Sequence, residues 1–283
     1  MQNFEYIDET LDASLTQSYI LSIQVSLNGF SFCIFDKTRK KYVVFKHINI
    51  EENLPKDIFF DKIENIIKND ELLNNNSFYS SKLLFINKQS TIIPTSYFNK
   101  DNLIKYLKLN HRLDELDEIH YKKLNYIDAY SIFTLPSPLA SIFAKKFKGI
   151  NFYNQNIPFI DFAMFKHHND TIKTSVNFNI NTIDVAVIKM GKLLLYNNFA
   201  ISNVNDATYY IMYIYKKLNL KTEKDNLFLS GFIDKTSPYY QDLKNYICFI
   251  NFEKKSNSYT NSYTFKNIHQ HTFLNLQNLI NCE

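Results

Sequence analysis

Glycine and proline are scarce in this 283-residue chain, with four and six copies, and tryptophan is absent. No Walker loop or Rossmann fingerprint is present, and the G-x-S-x-G and H-E-x-x-H signatures are missing too. Cysteine is rare: Cys33, Cys248 and Cys282 are odd in number and lack metal-type spacing, which suits a reducing cytoplasm. No apolar run approaches the roughly eighteen residues that span a bilayer. The acidic opening MQNFEYIDETLDASL lacks the basic region of a signal peptide. These absences predict a cytoplasmic chain with no transmembrane segment. The net charge of +4 is mild. Its densest basic run, Lys37-Thr38-Arg39-Lys40-Lys41, falls on a predicted turn with no basic-glycine tract or RNA-binding aromatic signature. A solvated hairpin tip is preferred there, and no nucleic-acid partner is expected.

Asn, Lys, Ile, Tyr and Phe are abundant instead, a balance we read as a base-composition bias. Hydrophobic residues reach 45%, enough for one large core or two. The chain is organised around Thr174–Phe199, where Val176, Phe178 and Ile180, then Ile183, Val185 and Val187, alternate with other residues across turns at Asn181-Thr182 and Met190-Gly191. Period two bounded by turn residues predicts three consecutive strands. An earlier copy exists: Ser22–Asp36 lies over Ser175–Lys189 without a gap. Gln24 falls on Asn177, Ser26 on Asn179, and Asn28-Gly29 on Asn181-Thr182. Asn28-Gly29 suits a type I′ turn with two positive φ angles. Each copy continues with a third strand, a helix (Lys56–Lys68 and Asp206–Leu218) and an apolar strand (Leu83–Ile86 and Leu227–Leu229). A repeated five-element unit predicts an α/β fold of two duplicated lobes, 1–149 and 150–283, each with a mixed five-stranded sheet.

The remaining elements read as follows. Asp8–Leu15 is an extended or capped leader. Ser90–Pro94 is a short strand, Asp101–Leu109 a helix, His111–Ile119 ambiguous, and Tyr121–Leu135 one or two strands. Ser137–Lys148 is a helix closed by Gly149. Ile150–Tyr153 is a strand, and Pro158 sits in the first turn of a helix running to about His167. Asn226–Gly231 and Ile247–Phe252 are strands, Pro238–Tyr246 a helix, Ser256–Ser262 a polar loop, and Thr272–Ile280 a last amphipathic helix.

The two hairpins resemble the phosphate-binding hairpins of the actin, sugar-kinase and heat-shock-chaperone ATPase superfamily, whose lobes are RNase H-like. Asn177–Val185, N-F-N-I-N-T-I-D-V, lies in register with the chaperone motif D-L-G-G-G-T-F-D-V and matches it at Thr182, Asp184 and Val185. The first chaperone hairpin lies over Ser22–Phe35. Asn156-Ile157-Pro158 stands where chaperones carry N-E-P before a helix. Leu229-Ser230-Gly231-Phe232 is a thin version of the adenosine-site signature. The whole chain is similar to an uncharacterised bacterial domain-of-unknown-function family (DUF3822-like) of this superfamily, through Ile7-Asp8-Glu9-Thr10, Leu21–Phe35 and Gly191–Asn197. Among characterised relatives, pilus-assembly and division proteins are nearest in style.

The resemblance implies a cleft lined by Gln24, Ser26, Asn177, Asn179, Thr182, Asp184 and Gly231. It also implies a departure from the family's chemistry. Superfamily members hold a magnesium-bound water or nucleotide with an Asp on each first strand; here those positions are Gln24 and Asn177, without the anionic charge magnesium prefers. Backbone N–H groups cradle phosphates only where side chains allow close approach; here Leu27, Ile180 and Asn181 stand in the way. Two readings stay open. The cleft is a relic of a nucleotide site, or it binds an uncharged or different ligand through its amides. The relic is preferred, no cofactor is expected, and ATP with magnesium is the disfavoured alternative.

Other candidates are weaker. His167-His168 and His269-Gln270-His271 lack a metal-type arrangement. Asp114–Glu118 lacks the glycine and spacing of a calcium loop. The Tyr209, Tyr210, Tyr213 and Tyr215 cluster covers its sheet, with part left for an interface. The expected function is a non-catalytic actin-like-fold protein that binds an unidentified protein partner or itself as a homodimer. A switch or enzyme with a remodelled cleft is the alternative. Peripheral membrane association, through Thr272–Ile280, is a third.

Overall fold

The computed structural model describes residues 3–74, 77–166 and 172–282. The first half runs β1 (Phe4–Ile7), β2 (Tyr19–Ser26), β3 (Gly29–Asp36), β4 (Lys41–Asn49), α1 (Lys56–Asn69), α2 (Glu71–Asn74) and β5 (Ser80–Phe85). An excursion follows through β6 (Ser90–Pro94), α3 (Leu103–Lys108), β7 (Asp117–Lys123) and β8 (Ala129–Pro136). The chain returns through α4 (Ser137–Lys146) to β9 (Asn151–Asn154). Helix α5 (Asn156–Lys166) leads to β10 (Lys173–Phe178), β11 (Thr182–Lys189), β12 (Lys192–Ala200), α6 (Val204–Lys217), β13 (Asn226–Gly231), α7 (Pro238–Leu243) and β14 (Ile250–Phe252). The tail contributes β15 (Thr260–Asn261) and α8 (Leu274–Asn278).

Two separate sheets share one topology. The order β4-β3-β2-β5-β9 in the first is matched by β12-β11-β10-β13-β14 in the second. In both, the first three strands are antiparallel and the last two pairings parallel. Gly29 pairs with Asn49 as Thr182 pairs with Ala200, and a register shift interrupts both ladders at equivalent steps, Ile34/Phe35 and Val187/Ile188. The fold is thus two duplicated RNase H-like units. The first sheet has more strands than the expected five because β1 and β15 add to the outer edge of β4. Two segments beyond residue 149 join this sheet, β9 beside β5 and β15 beside β4. The excursion forms its own three-stranded sheet, β6-β8-β7.

The first sheet is buried on both faces, so that nearly every position of β2 and β3 is buried, the polar Ser22, Gln24 and Ser31 included. One face packs Ile23, Phe32 and Leu83 against Phe59, Ile63 and Phe143 of α1 and α4. The other packs Phe35, Phe45 and Tyr153 against Ile157 and Ile160 of α5, Leu276 of α8 and Ala186 and Ile188 of β11. In the second sheet Val176, Val185 and Leu229 meet Ala207, Ile211 and Leu243 of α6 and α7. Helix α6 begins with a capping box between Asn203 and Asp206.

Two expectations change, and one element was not foreseen. The β2–β3 connection is Leu27-Asn28, and among the described residues neither it nor Gly29 has positive φ; the type I′ angles occur at Met190 (50°) and Gly191 (69°). The opening segment contains β1, whose Phe4 and Tyr6 pack on the core while Glu5 and Ile7 face outward. Thr272–Ile280 is not an exposed amphipathic segment, because Phe273, Leu276 and Leu279 are buried against the first sheet and Leu274 is buried as well. It offers no membrane-facing stripe. No described helix is long and apolar enough to cross a membrane.

Candidate functional site

The parallel and antiparallel registers place Asn177 between Asp184 on β11 and Ser230 on β13. Alternation turns Asn177 and Asn179 to one face, and the same face of β11 and β12 carries Asp184 and Asn198, which are direct partners. The side chains close into one network. The Asp184 carboxylate accepts from the Tyr196 hydroxyl (2.8 Å) and from the amides of Asn198 (2.9 Å) and Asn179 (3.0 Å). Asn179 also donates to the Thr182 hydroxyl (3.3 Å) and accepts from the Asn177 amide (3.3 Å). The Ser230 hydroxyl donates to the Asn177 carbonyl oxygen (3.1 Å).

Asp184 is fully buried, and burial raises its carboxyl above the usual range while the surrounding donors pull it back down. Burial, with Asp184 beside it, holds the Tyr196 hydroxyl far above its ordinary value, so it stays a donor. Three donors already satisfy this carboxylate, and a buried carboxylate is stable only when so paired.

The first copy repeats the geometry with different chemistry. Gln24 is buried opposite Ser31 on β3 and beside Leu84 on β5. Ser31 pairs across the strands with His47 as Asp184 does with Asn198, and its hydroxyl lies 2.8 Å from His47 Nδ1. His47 Nε2 is 3.0 Å from Asn49 Oδ1. Burial lowers the His47 pKa, which favours the neutral ring. Ser26 is tied into its own hairpin, donating to Asn28 Oδ1 (2.9 Å) and lying 3.2 Å from the Gly29 carbonyl oxygen.

Of the seven expected residues, the structure brings Asn177, Asn179, Thr182 and Asp184 into one network. Gln24 and Ser26 stand apart, with no hydrogen bond to that network among the described residues. Gly231 closes the end of β13 against β10: its φ is +85°, its N–H donates to the His271 carbonyl (2.8 Å), and the next N–H, of Phe232, donates to the Phe178 carbonyl (2.7 Å). Beyond this point lies a cavity of about 410 Å³ lined by His47 from the first unit and Ile180, Phe232, Ile233, Asp234 and His269 from the second. None of the seven expected residues lines it. Leu27 and Asn181, at the two hairpin tips, border a smaller one of about 150 Å³.

Sequence reasoning missed Tyr196, Asn198, Ser31 and His47, and named Ser230 only within the motif of Gly231. The signal that comes nearest to them is strand register: counted from the Met190-Gly191 turn Asp184 would face Asn197, and the register shift at Val187/Ile188 brings Asn198 opposite it instead. The histidine candidates do not form a site. His271 is buried with Nε2 2.7 Å from the Ile233 carbonyl oxygen, and its ring stacks on His269 and Phe252. His167-His168 lies outside the described residues. Among the described residues no group of three His, Cys, Asp or Glu side chains is placed to hold a metal.

A family model described as protein of unknown function (DUF3822) matches residues 8–250. The chain belongs to this family. A Bacteroides thetaiotaomicron protein with an actin-like ATPase fold and unknown function superposes with a TM-score of 0.84. The two are 22% identical, over 97% of this chain and all of that one. The PilM-PilN type IV pilus biogenesis complex contains a chain that superposes with a TM-score of 0.60 at 6% identity, covering 92% of this chain and 97% of its own. No curated protein matches the sequence. This DUF3822 chain therefore has the actin-like ATPase fold, with side chains of its own at the strand ends where that fold's hairpins meet.

Proposed function

We propose that this DUF3822 protein is a cytoplasmic, non-catalytic member of the actin-like fold, acting by contact with a protein partner or a second copy of itself. One observation carries the reading. The acidic group at the phosphate hairpins, Asp184, is spent on Tyr196, Asn198 and Asn179, and Asn177 on Ser230 and Asn179. An anion held by three internal donors has little left to offer a magnesium ion, which wants oxygen ligands in octahedral geometry. Two tyrosines on α6 support the partner half of the proposal. Tyr209 and Tyr213 are 63% and 45% exposed and their rings stack at 6.1 Å, an aromatic pair of the kind that anchors interfaces. PilM, solved in complex with PilN, is a precedent for this fold meeting a protein, at the level of fold alone.

The 410 Å³ cavity beside Gly231 favours a second reading, a nucleotide- or small-ligand-binding switch or enzyme that uses a remodelled cleft. One experiment separates the two. Under the leading reading, millimolar Mg-ATP leaves the melting temperature unchanged and no hydrolysis is detected. A ligand at a hundredfold excess over its Kd would add about 2.7 kcal/mol. An upward shift abolished by EDTA overturns the proposal.

A further inference from the structure

The two units differ at one sheet edge. In the first, the outer edge of β4 is covered: β1 pairs with Val44–His47 antiparallel, and β15 with Lys41-Tyr42. In the second, β12 is the end of its sheet, and among the described residues no strand pairs with its outer edge. Because Gly29–Asn49 and Thr182–Ala200 are equivalent pairs, Val44–His47 corresponds to Leu195–Asn198. A groove of about 550 Å³ runs along this place. It is lined by Tyr196, Asn197 and Asn198 on one wall and by Lys88, Ser90 and His111 among the residues opposite. Three of the four positions that β1 covers in the first unit thus line an open groove in the second. The far wall includes Ser90–Ile92 of β6, itself an edge strand.

Exposed strand edges are templates for pairing, and proteins leave them open at a cost. Here the outward N–H of Asn198 is held by the Asn197 side-chain oxygen (2.9 Å), a local plug that a stronger acceptor can displace. The lining includes Lys88 and His111 and no carboxylate. In the first unit the covering strand brings an acid, and Glu5 meets Lys46 at 2.9 Å.

We propose that the β12 edge is a docking groove for an extended, acidic segment of a partner protein, which adds antiparallel to Leu195–Asn198 as β1 adds to Val44–His47. This rests on the partner-binding reading and gives it a place. Backbone pairing supplies the affinity, and Lys88 on the opposite wall selects charge. The same edge carries Tyr196 and Asn198, so an occupant would lie directly over the groups that hold Asp184.

The probe is a blocked peptide of the chain's own covering strand, N-F-E-Y-I-D, offered to the whole protein beside its basic counterpart N-F-K-Y-I-K. The acidic peptide should slow amide exchange at Tyr196 and Asn198, and the basic one should not. Lys88→Glu should weaken the acidic peptide at least tenfold, while Asn197→Ala, which removes the plug, should bind it as well or better. Melting of both variants is measured first. No protection of β12 by either peptide at millimolar concentration overturns the proposal, as does equal protection by both. Protection in the free protein that fades on dilution means β12 pairs with a second copy, and overturns it too. A partner found to bind with β12 exchange unchanged would leave the partner-binding reading intact and remove this edge from it.

Discussion

A Cβ placed on Gly231 would stand 2.1 Å from the backbone carbonyl oxygen of Phe178. That oxygen cannot move away, because it accepts the Phe232 N–H at 2.7 Å and lies in the β10–β13 ladder. Gly231→Ala is therefore expected to destabilise the protein by more than about 3 kcal/mol, combining strain at positive φ with the clash. Gly149 is the control: its φ is +73° but nothing lies within 4 Å, so alanine there should cost only about 1–2 kcal/mol. Urea unfolding of both variants checks the difference, and equal midpoints would refute it.

Asp184→Asn keeps the size of a side chain whose two oxygens accept three hydrogen bonds. The new amide turns an N–H₂ toward donors. We expect a loss of about 3 kcal/mol, because a buried donor is left facing another donor with no acceptor between them. Asn198→Ala removes one donor of the three and should cost about 1–2 kcal/mol. Calorimetric or urea unfolding of the two variants measures the ranking.

Gln24→Asp with Asn177→Asp restores the acidic positions of the superfamily but should not restore ATP hydrolysis. The new carboxylate at position 177 would sit opposite buried Asp184. Two carboxylates sharing a site cannot both ionise readily, so one would take up a proton rather than bind magnesium. Leu27, Ile180 and Asn181 would also remain. Phosphate release well above the wild-type background would defeat this account.

Asp161 on α5 is buried, and burial lifts its carboxyl to about 6 against two backbone N–H donors, of Asn125 and Tyr126. A carboxyl raised in the folded state binds more protons folded than unfolded between pH 4 and 6. Its contribution to stability is therefore full below about pH 4 and is lost as pH rises through 6. Asp161→Asn should remove that slope and make the protein more stable at pH 7.5, by on the order of 2 kcal/mol. Melting temperatures of both forms from pH 4.5 to 8 test the sign; a parallel offset at every pH would contradict it.

Tyr209→Ser and Tyr213→Ser should leave the melting temperature nearly unchanged, since both rings are exposed. If α6 is an interface, each should weaken association by about 2 kcal/mol. Sedimentation across a concentration series, or affinity for an identified partner, reads this directly.

The duplicated hairpins were legible because strands that turn an apolar face to one side and polar site residues to the other, bounded by sharp turns, write themselves into period-two runs. β3 and β11 end where the gapless alignment of Ser22–Asp36 with Ser175–Lys189 places them. Helix α6 and strand β13 were equally plain. Less legible were elements whose reason lies far away in sequence. β1 is four residues long, and it is a strand because β4 offers it an edge. β7 opens on Asp117-Glu118, polar residues made strand by pairing with Leu135 and Pro136. At the site, alternation identified Asn177, Asn179 and Asp184. It could not reveal that Tyr196 and Asn198 would consume the carboxylate, because that depends on β11–β12 register around a bulge.

The first sheet is not finished when its own strands have been made. Tyr42 donates its hydroxyl to the Gln277 carbonyl, Lys82 its ammonium to the carbonyls of Leu279 (2.9 Å) and Cys282, and Tyr153 its hydroxyl to Cys282 (3.3 Å). Phe273, Leu276 and Leu279 fill the same apolar layer. A ribosome delivers residues 19–154 long before residues 273–282, and domains generally fold as units while the chain emerges. Here the earlier unit must wait, with a lysine and an aromatic face uncovered, until the later unit has been synthesised and the chain has come back. Truncation before residue 273 would therefore injure the part of the molecule made first.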